Sequence, residues 1–132
     1  LRPGLQKHVV YLGFRKDMEQ VYAQADAIVL PSRIEPFGMA PIQGMLHGLV
    51  PIVSSVSGVA ELLKDGENAL ILNNHLDAHE LAALMAKLMN ERALTSSMQE
   101  KAKTTAAALT WDKAVEANIR AYYHVLTAKK RT

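Results

Sequence analysis

A single acidic residue, Glu35, lies in a short segment that would hold it rigidly. The apolar run Ala27–Leu30 stops at Pro31, and Pro36 and Gly38 follow the acid closely. Pro36 fixes its own φ angle and keeps Glu35 out of helical geometry, whereas Gly38 lets a ligand come close to the backbone. A carboxylate held in this way can accept hydrogen bonds from the hydroxyl groups of a ligand. An ordinary surface carboxylate is the alternative, and the rigid context favours the ligand-binding interpretation.

The helix predicted directly after this acid adds a second kind of chemistry. It spans Met39 to His47, and Gly48 ends it. Its first N–H groups, from about Gly38 to Ala40, have no partner within the helix, and the helix dipole adds positive potential there. Free amides of this kind suit a diphosphate. Amides for phosphate beside a carboxylate for hydroxyl groups indicate a nucleotide-sugar ligand.

Short apolar runs alternate with helical patterns in the first half of the chain. The predicted strands are His8–Phe14, Ala27–Leu30, Val50–Ser55 and Ala69–Leu72. A helix that Asp17 and Gln20 would cap lies between the first two strands, and a short helix over Val59–Leu63 precedes the last one. This alternation predicts an α/β fold, a Rossmann-like parallel sheet flanked by helices. Ligands bind beyond the carboxyl ends of such strands, here residues 13–15, 31–38 and 54–58.

The second half of the chain is predicted to be helical. Asp77 should cap the first of three helices, with Glu80 completing a capping box. A second helix is expected over Asn90–Ala108, and Thr110 should cap the third. An apolar stripe on this third helix is expected to pack inward: Val115, Ile119, Tyr122, Tyr123 and Leu126.

Composition excludes several classes of protein. The 132 residues, 49% of them hydrophobic, fit one globular domain. The formal net charge of +2 gives no basic field for nucleic acid, and Lys129–Arg131 is interpreted as a solvated tail. Without cysteine there is no disulfide, thiolate metal site or cysteine nucleophile. No apolar run approaches a membrane span and no signal peptide is visible, so a cytoplasmic location is expected.

The segment around Glu35 resembles the donor-binding half of retaining GT-B glycosyltransferases of group 1 (family 4), which are related to glycogen and starch synthases. The family pattern is a strand ending in D-x-x-x-x-P-S, followed by E-x-F-G. The matching residues are Asp26, Pro31, Ser32, Glu35, Phe37 and Gly38. Further matches lie at Gly48–Val53, at Ser57–Glu61, at the turn through Gly66 and at Thr110–Trp111. The resemblance covers nearly the whole chain, residues 1–132, as a partial C-terminal nucleotide-sugar-binding domain.

The resemblance implies roles for particular residues. Glu35 would be the catalytic-site acid that accepts hydrogen bonds from the donor sugar. The sugar and the distal phosphate would bind the backbone of Phe37, Gly38, Met39 and Ala40. The loop at Gly13 and Phe14 would contact the nucleobase. The position eight after Glu35, which is Gln43 here, would bind the ribose hydroxyl groups.

Two departures from the family pattern accompany the match. The family has Glu where this chain has Gln43, and a charged acceptor forms a stronger hydrogen bond than an amide does. The Arg and Lys that the family places on the first strands of this domain are not found in that motif here. The first two strands of the family's sheet are missing as well, which predicts an exposed sheet edge. We expect either the missing N-terminal GT-B half or self-association to cover that edge.

Taken together, these features predict the donor-binding part of a retaining hexosyltransferase that is inactive alone. No metal or other cofactor is expected besides the nucleotide-sugar substrate, and nucleic acid is not an expected partner. The complete enzyme could associate peripherally with a membrane. A non-catalytic binding or assembly module that partners another chain is the alternative, and a phosphorylase- or epimerase-type relative on the same fold is a third.

Overall fold

The computed structural model describes residues 4–128, so the basic cluster Lys129–Arg131 lies outside the described residues. A parallel sheet of three strands forms the centre, in the order β1 (Ala27–Leu30), β2 (Val50–Ser54) and β3 (Leu70–Leu72). The helices flank it: α1 (Met18–Tyr22), α2 (Met39–Leu46), a 3₁₀ helix (Gly58–Leu62), α3 (Ala78–Asn90), α4 (Arg92–Ala107) and α5 (Trp111–Ala128). This arrangement confirms the predicted α/β class. Within residues 4–128, no helix combines the length and apolarity that crossing a membrane would take.

The central strand β2 organises the core because every one of its residues is buried. Successive side chains of a strand point to opposite faces of its sheet, so Ile52 and Val53 supply different clusters. Val53 packs with Met45 of α2 and Ala102 of α4 on one face. Ile52 packs with Met98 and with residues of α3 on the other. Both faces of the small sheet are thus covered by helices, as a parallel sheet requires.

Helix α2 packs against β1 at very short range. Gly44 lies over Ile28, and a Cβ atom at this glycine would come within 2.9 Å of the Ile28 Cγ2. Gly48, at φ +83°, ends the turn after α2, as its type and position predicted. The contact between Gly44 and Ile28 fixes α2, which follows Glu35, relative to β1, which precedes Glu35.

The strand predicted at His8–Phe14 does not form. These residues are irregular and exposed, with Val10, Tyr11 and Phe14 between 80% and 91% accessible. A strand is stabilised by pairing, and β1 is an edge strand of the described sheet, with no strand of residues 4–128 pairing along its outer edge. The apolar run is strand-like in composition, but no strand of residues 4–128 pairs with it.

Three predictions about helices need correction. Helix α1 is only five residues long, and the Asp17 side chain does not cap it but accepts from the Arg15 guanidinium at 2.7 Å. The Asp77 cap is confirmed, whereas the Glu80 carboxylate accepts from the backbone of Asn73 and Asn74 instead of closing a box on Asp77. Helix α5 forms as predicted, but its apolar stripe does not pack inward, since no residue of the helix is buried.

Candidate functional site: the loop after strand β1

The first loop, residues 31–38, leaves the carboxyl end of β1 and carries Glu35. It runs beside the second loop, residues 55–57, which follows β2. The Gly58 N–H donates to the Glu35 carbonyl at 3.0 Å, and the Val59 N–H donates to the Phe37 carbonyl at 2.7 Å. An isolated parallel bridge also joins Glu35 to Ser57. The backbone around Glu35 is therefore hydrogen-bonded to the segment that follows β2.

Two glycines allow this close approach. Gly58 lies so near the first loop that a Cβ atom there would come within 2.2 Å of the Pro36 carbonyl oxygen. Gly38 adopts φ +100°, a conformation that other residues rarely take, and is itself buried. The glycines thus let the backbone turn from the acid directly into α2.

The Glu35 side chain is half-buried, and its Oε1 accepts from the Phe37 N–H at 3.4 Å. The carboxylate therefore lies beside the backbone that leads into α2. Sequence reasoning expected a rigid turn that places an acid next to a helix N-terminus, and the geometry of the first loop has that form.

The N-terminus of α2 has no side-chain cap, because its N-cap residue is Gly38. Met39 and Ala40 follow with exposed side chains, and Pro41 at the third position has no N–H. No acidic residue occupies the first turn. The helix start thus offers the Met39 and Ala40 amides, with the positive end of the helix dipole, to an anion.

Gln43 lies one turn further along α2, facing a cavity of about 590 Å³. The Tyr22 hydroxyl donates to the Gln43 Oε1 at 3.5 Å, and the His47 Nδ1 lies 2.9 Å from the Gln43 carbonyl oxygen. The Tyr22 and His47 rings also contact each other, with centroids 5.3 Å apart. Residues of α1 and the turn before it complete the lining: Lys16, Asp17, Met18, Glu19 and Gln20.

The structure does not bring all of the predicted site residues together. Of these residues only Gln43 lines the cavity, as far as the described chain shows. A Cβ atom at Gly13 would have no neighbour within 4 Å, and the Phe14 side chain is exposed. Both residues lie in the open because the strand that would hold them does not form. Glu35, Phe37, Gly38, Met39 and Ala40 cluster at the start of α2 instead.

Sequence reasoning missed Tyr22 and His47 as neighbours of the site. Tyr22 is the buried residue of α1. His47 is the C-cap residue of α2. The spacing of Gln43 and His47, four residues apart on one helix, was the available signal that both face the same side. Among residues 4–128, no three His, Cys, Asp or Glu side chains are grouped to hold a metal ion.

Known proteins match both the sequence and the fold. Glycogen synthase of Chlamydia muridarum is 38% identical over 68 residues, which are 52% of this chain and 14% of that protein. HepE of Anabaena, solved in complex with UDP, superposes with a TM-score of 0.80 at 25% identity over 92% of this chain. HepE in complex with UDP-glucose gives 0.75 at 28% identity over 80%.

The match leaves most of each relative uncovered. This chain spans 34% of the HepE chain in the UDP complex and 29% in the UDP-glucose complex. The model of the family described as glycosyl transferases group 1 matches residues 2–105, which includes the first loop, α2 and the loop after β2. This chain therefore belongs to the group 1 glycosyltransferase family.

Proposed function

We propose that this chain is the donor-binding part of a retaining, metal-independent hexosyltransferase and binds a nucleotide-diphosphate sugar. The observation that carries the proposal is the joint placement of the Glu35 carboxylate and the uncapped amides of α2 on one short turn. The carboxylate would accept from the sugar hydroxyl groups, and the amides would bind the distal phosphate. The complexes of HepE with UDP and UDP-glucose support a uridine diphosphate sugar as the first ligand to test.

The chemistry that this arrangement supports is stabilisation of a leaving group. During transfer, the bond between the anomeric carbon and the diphosphate breaks, an acceptor hydroxyl oxygen bonds to that carbon, and the hydroxyl proton passes to an oxygen of the departing diphosphate. The diphosphate departs with the electron pair, so negative charge grows on its oxygens. Amides and a helix dipole already aimed at those oxygens stabilise this charge without reorganising.

We do not expect the isolated chain to catalyse the transfer. The family's acceptor-binding half and its Arg and Lys on the preceding strands are not found in this sequence. We therefore expect the 132-residue chain to bind a donor without transferring its sugar. The missing half would come from another polypeptide segment or chain.

Calorimetric titration of the chain with UDP-, GDP- and ADP-sugars tests this function. We expect binding of at least one of them, and a loss in the Glu35→Ala variant of about 1.5–3 kcal/mol, since one bond to a charged acceptor is removed. Glu67→Ala is the matched control, because Glu67 is an exposed acid whose partner is Lys64. Absence of binding by the unmodified chain, or equal affinities of the two variants, would contradict the proposal.

The non-catalytic alternative has one observation in its favour. Gln43 places a neutral amide where the family has an acid, and its Oε1 already accepts from Tyr22. A chain that has lost donor binding would show no heat with any nucleotide-sugar and would act only by association. The same titration therefore separates the two functions.

A further inference from the structure

Two buried serines connect the loops on either side of the proposed donor site. Ser54, the last residue of β2, is fully buried, and its Oγ donates to the Ser32 carbonyl of the first loop at 2.7 Å. Ser57, in the second loop, is also buried, and its Oγ lies 2.9 Å from the Ser54 Oγ. The two serines thus link the end of β2 to the first loop, which follows β1.

The direction of these hydrogen bonds follows from the groups that make them. A carbonyl oxygen can only accept, so the single hydroxyl proton of Ser54 is committed to Ser32. Ser57 must therefore donate to Ser54. The chain of bonds runs from Ser57 through Ser54 to Ser32, and the middle hydroxyl takes part in both contacts.

This chain of bonds controls the backbone that carries the acid. Ser32 lies three residues before Glu35, and Ser57 forms the isolated bridge with Glu35 itself. The adjacent Gly58 and Val59 amides donate to the Glu35 and Phe37 carbonyls. The serines and these amides together hold both ends of the segment 32–37.

We infer that Ser54 is a positioning residue for the donor sugar, acting through the first loop on Glu35. The inference rests on the proposed function, because it assigns Ser54 an effect on the sugar subsite. Ser54 does not touch the ligand in this scheme. Its loss would let the first loop move away from the second loop and displace the Glu35 carboxylate. The nucleoside, near Gln43 on the next turn of α2, would be unaffected.

The first test measures ligand selectivity in the whole chain. The affinities for UDP-glucose and for UDP are compared by calorimetry in the unmodified chain, Ser54→Ala and Ser57→Ala. We expect Ser54→Ala to weaken UDP-glucose binding about tenfold, which is the size of one lost hydrogen bond to a charged group. UDP binding should change little. Ser57→Ala keeps the bond from Ser54 to Ser32 and should have a smaller effect. A purely structural role would weaken both ligands equally.

Ser55→Ala is the matched control. Ser55 is the next residue along the chain, but its side chain is exposed, and its Oγ donates to the Asn73 carbonyl at 3.3 Å, away from the first loop. This variant should keep the selectivity for UDP-glucose over UDP. An equal loss in Ser54→Ala and Ser55→Ala would overturn the inference.

A second measurement needs no ligand. Hydrogen exchange of the Gly58 and Val59 amides reports directly on their bonds to the first loop. We expect exchange of these two amides to be at least about tenfold faster in Ser54→Ala than in Ser55→Ala, with amides of α4 unchanged. Unchanged exchange at Gly58 and Val59 would overturn the positioning role.

If the unmodified chain binds neither ligand, the proposed function is wrong, and the assignment of Ser54 to the sugar subsite is wrong with it. If it binds both and Ser54→Ala keeps the selectivity, only the positioning role is wrong.

Discussion

At the scale of single residues, Gln43 is expected to limit the strength of nucleotide binding in the proposed site. Its amide lies on α2 at the cavity that Tyr22 and His47 help to line. Tyr22 donates to the Gln43 Oε1, which leaves the amide nitrogen and one lone pair of the oxygen for a ligand. A vicinal diol both donates and accepts, so Gln43 can bind it, but without the gain that a charged acceptor brings.

Replacement of Gln43 by Glu is therefore expected to strengthen UDP binding. A hydrogen bond to a charged group contributes about 1.5–3 kcal/mol against about 1 kcal/mol for a neutral one, so a gain of about fivefold is expected. Calorimetry with UDP measures it. Gln20→Glu is the control, because Gln20 lines the same cavity from α1 and the substitution adds the same charge at a different position. An equal gain in both variants would show that the position of the acid does not matter.

At the scale of secondary structure, success of the sequence-based predictions depended on whether the signal was local. The Asp77 cap and the Gly48 stop were predictable because each acts on its own helix end. Strands β1, β2 and β3 were predictable because each is an apolar run between breakers. The strand at His8–Phe14 was not, since its formation depends on pairing partners. Likewise, the turn at Glu35 follows from Pro36 and Gly38, whereas the buried link from Ser54 to Ser32 spans 22 residues of sequence.

Glu80 shows how a correct residue can serve an unexpected element. Its carboxylate accepts from the Asn73 and Asn74 N–H groups at 2.8 and 2.9 Å, which ties the start of α3 to the turn after β3. These backbone hydrogen bonds lower the pKa of Glu80 below its ordinary value of 4.5. The stability that they supply is therefore present above that value and lost as the pH falls through the lowered pKa.

The Glu80→Gln variant is expected to remove this acid-sensitive contribution. It should be less stable than the unmodified chain near neutral pH, and the difference should shrink as the pH falls below 4.5 and through the lowered pKa, because the carboxylate becomes protonated. Urea unfolding at a series of pH values measures the difference. Glu100→Gln, which removes an exposed acid on α4, is the control for the loss of one negative charge. A constant gap for Glu80→Gln would contradict the assignment.

At the scale of the whole molecule, many of the exposed apolar side chains lie in two segments. One is the irregular segment Val9–Phe14, and the other is the apolar stripe of α5, where Ile119, Tyr122 and Leu126 are all exposed. The closed core consists instead of the sheet with α2, α3 and α4. Coverage of the outer edge of β1 by the missing N-terminal half or by a second copy stays a prediction.

Removal of α5 should for that reason leave the core intact. A chain truncated after Ala108 loses no buried residue, because every described residue beyond this point is exposed. Since stabilisation follows the apolar area removed from water, we expect its unfolding free energy to stay within about 1 kcal/mol of the full chain. Met98→Ala, which empties a fully buried position in α4, should cost about 2–5 kcal/mol in the same urea titration. If the truncated chain lost as much stability as Met98→Ala, then α5 would pack on the core in solution, and the apolar stripe would be covered within a single chain.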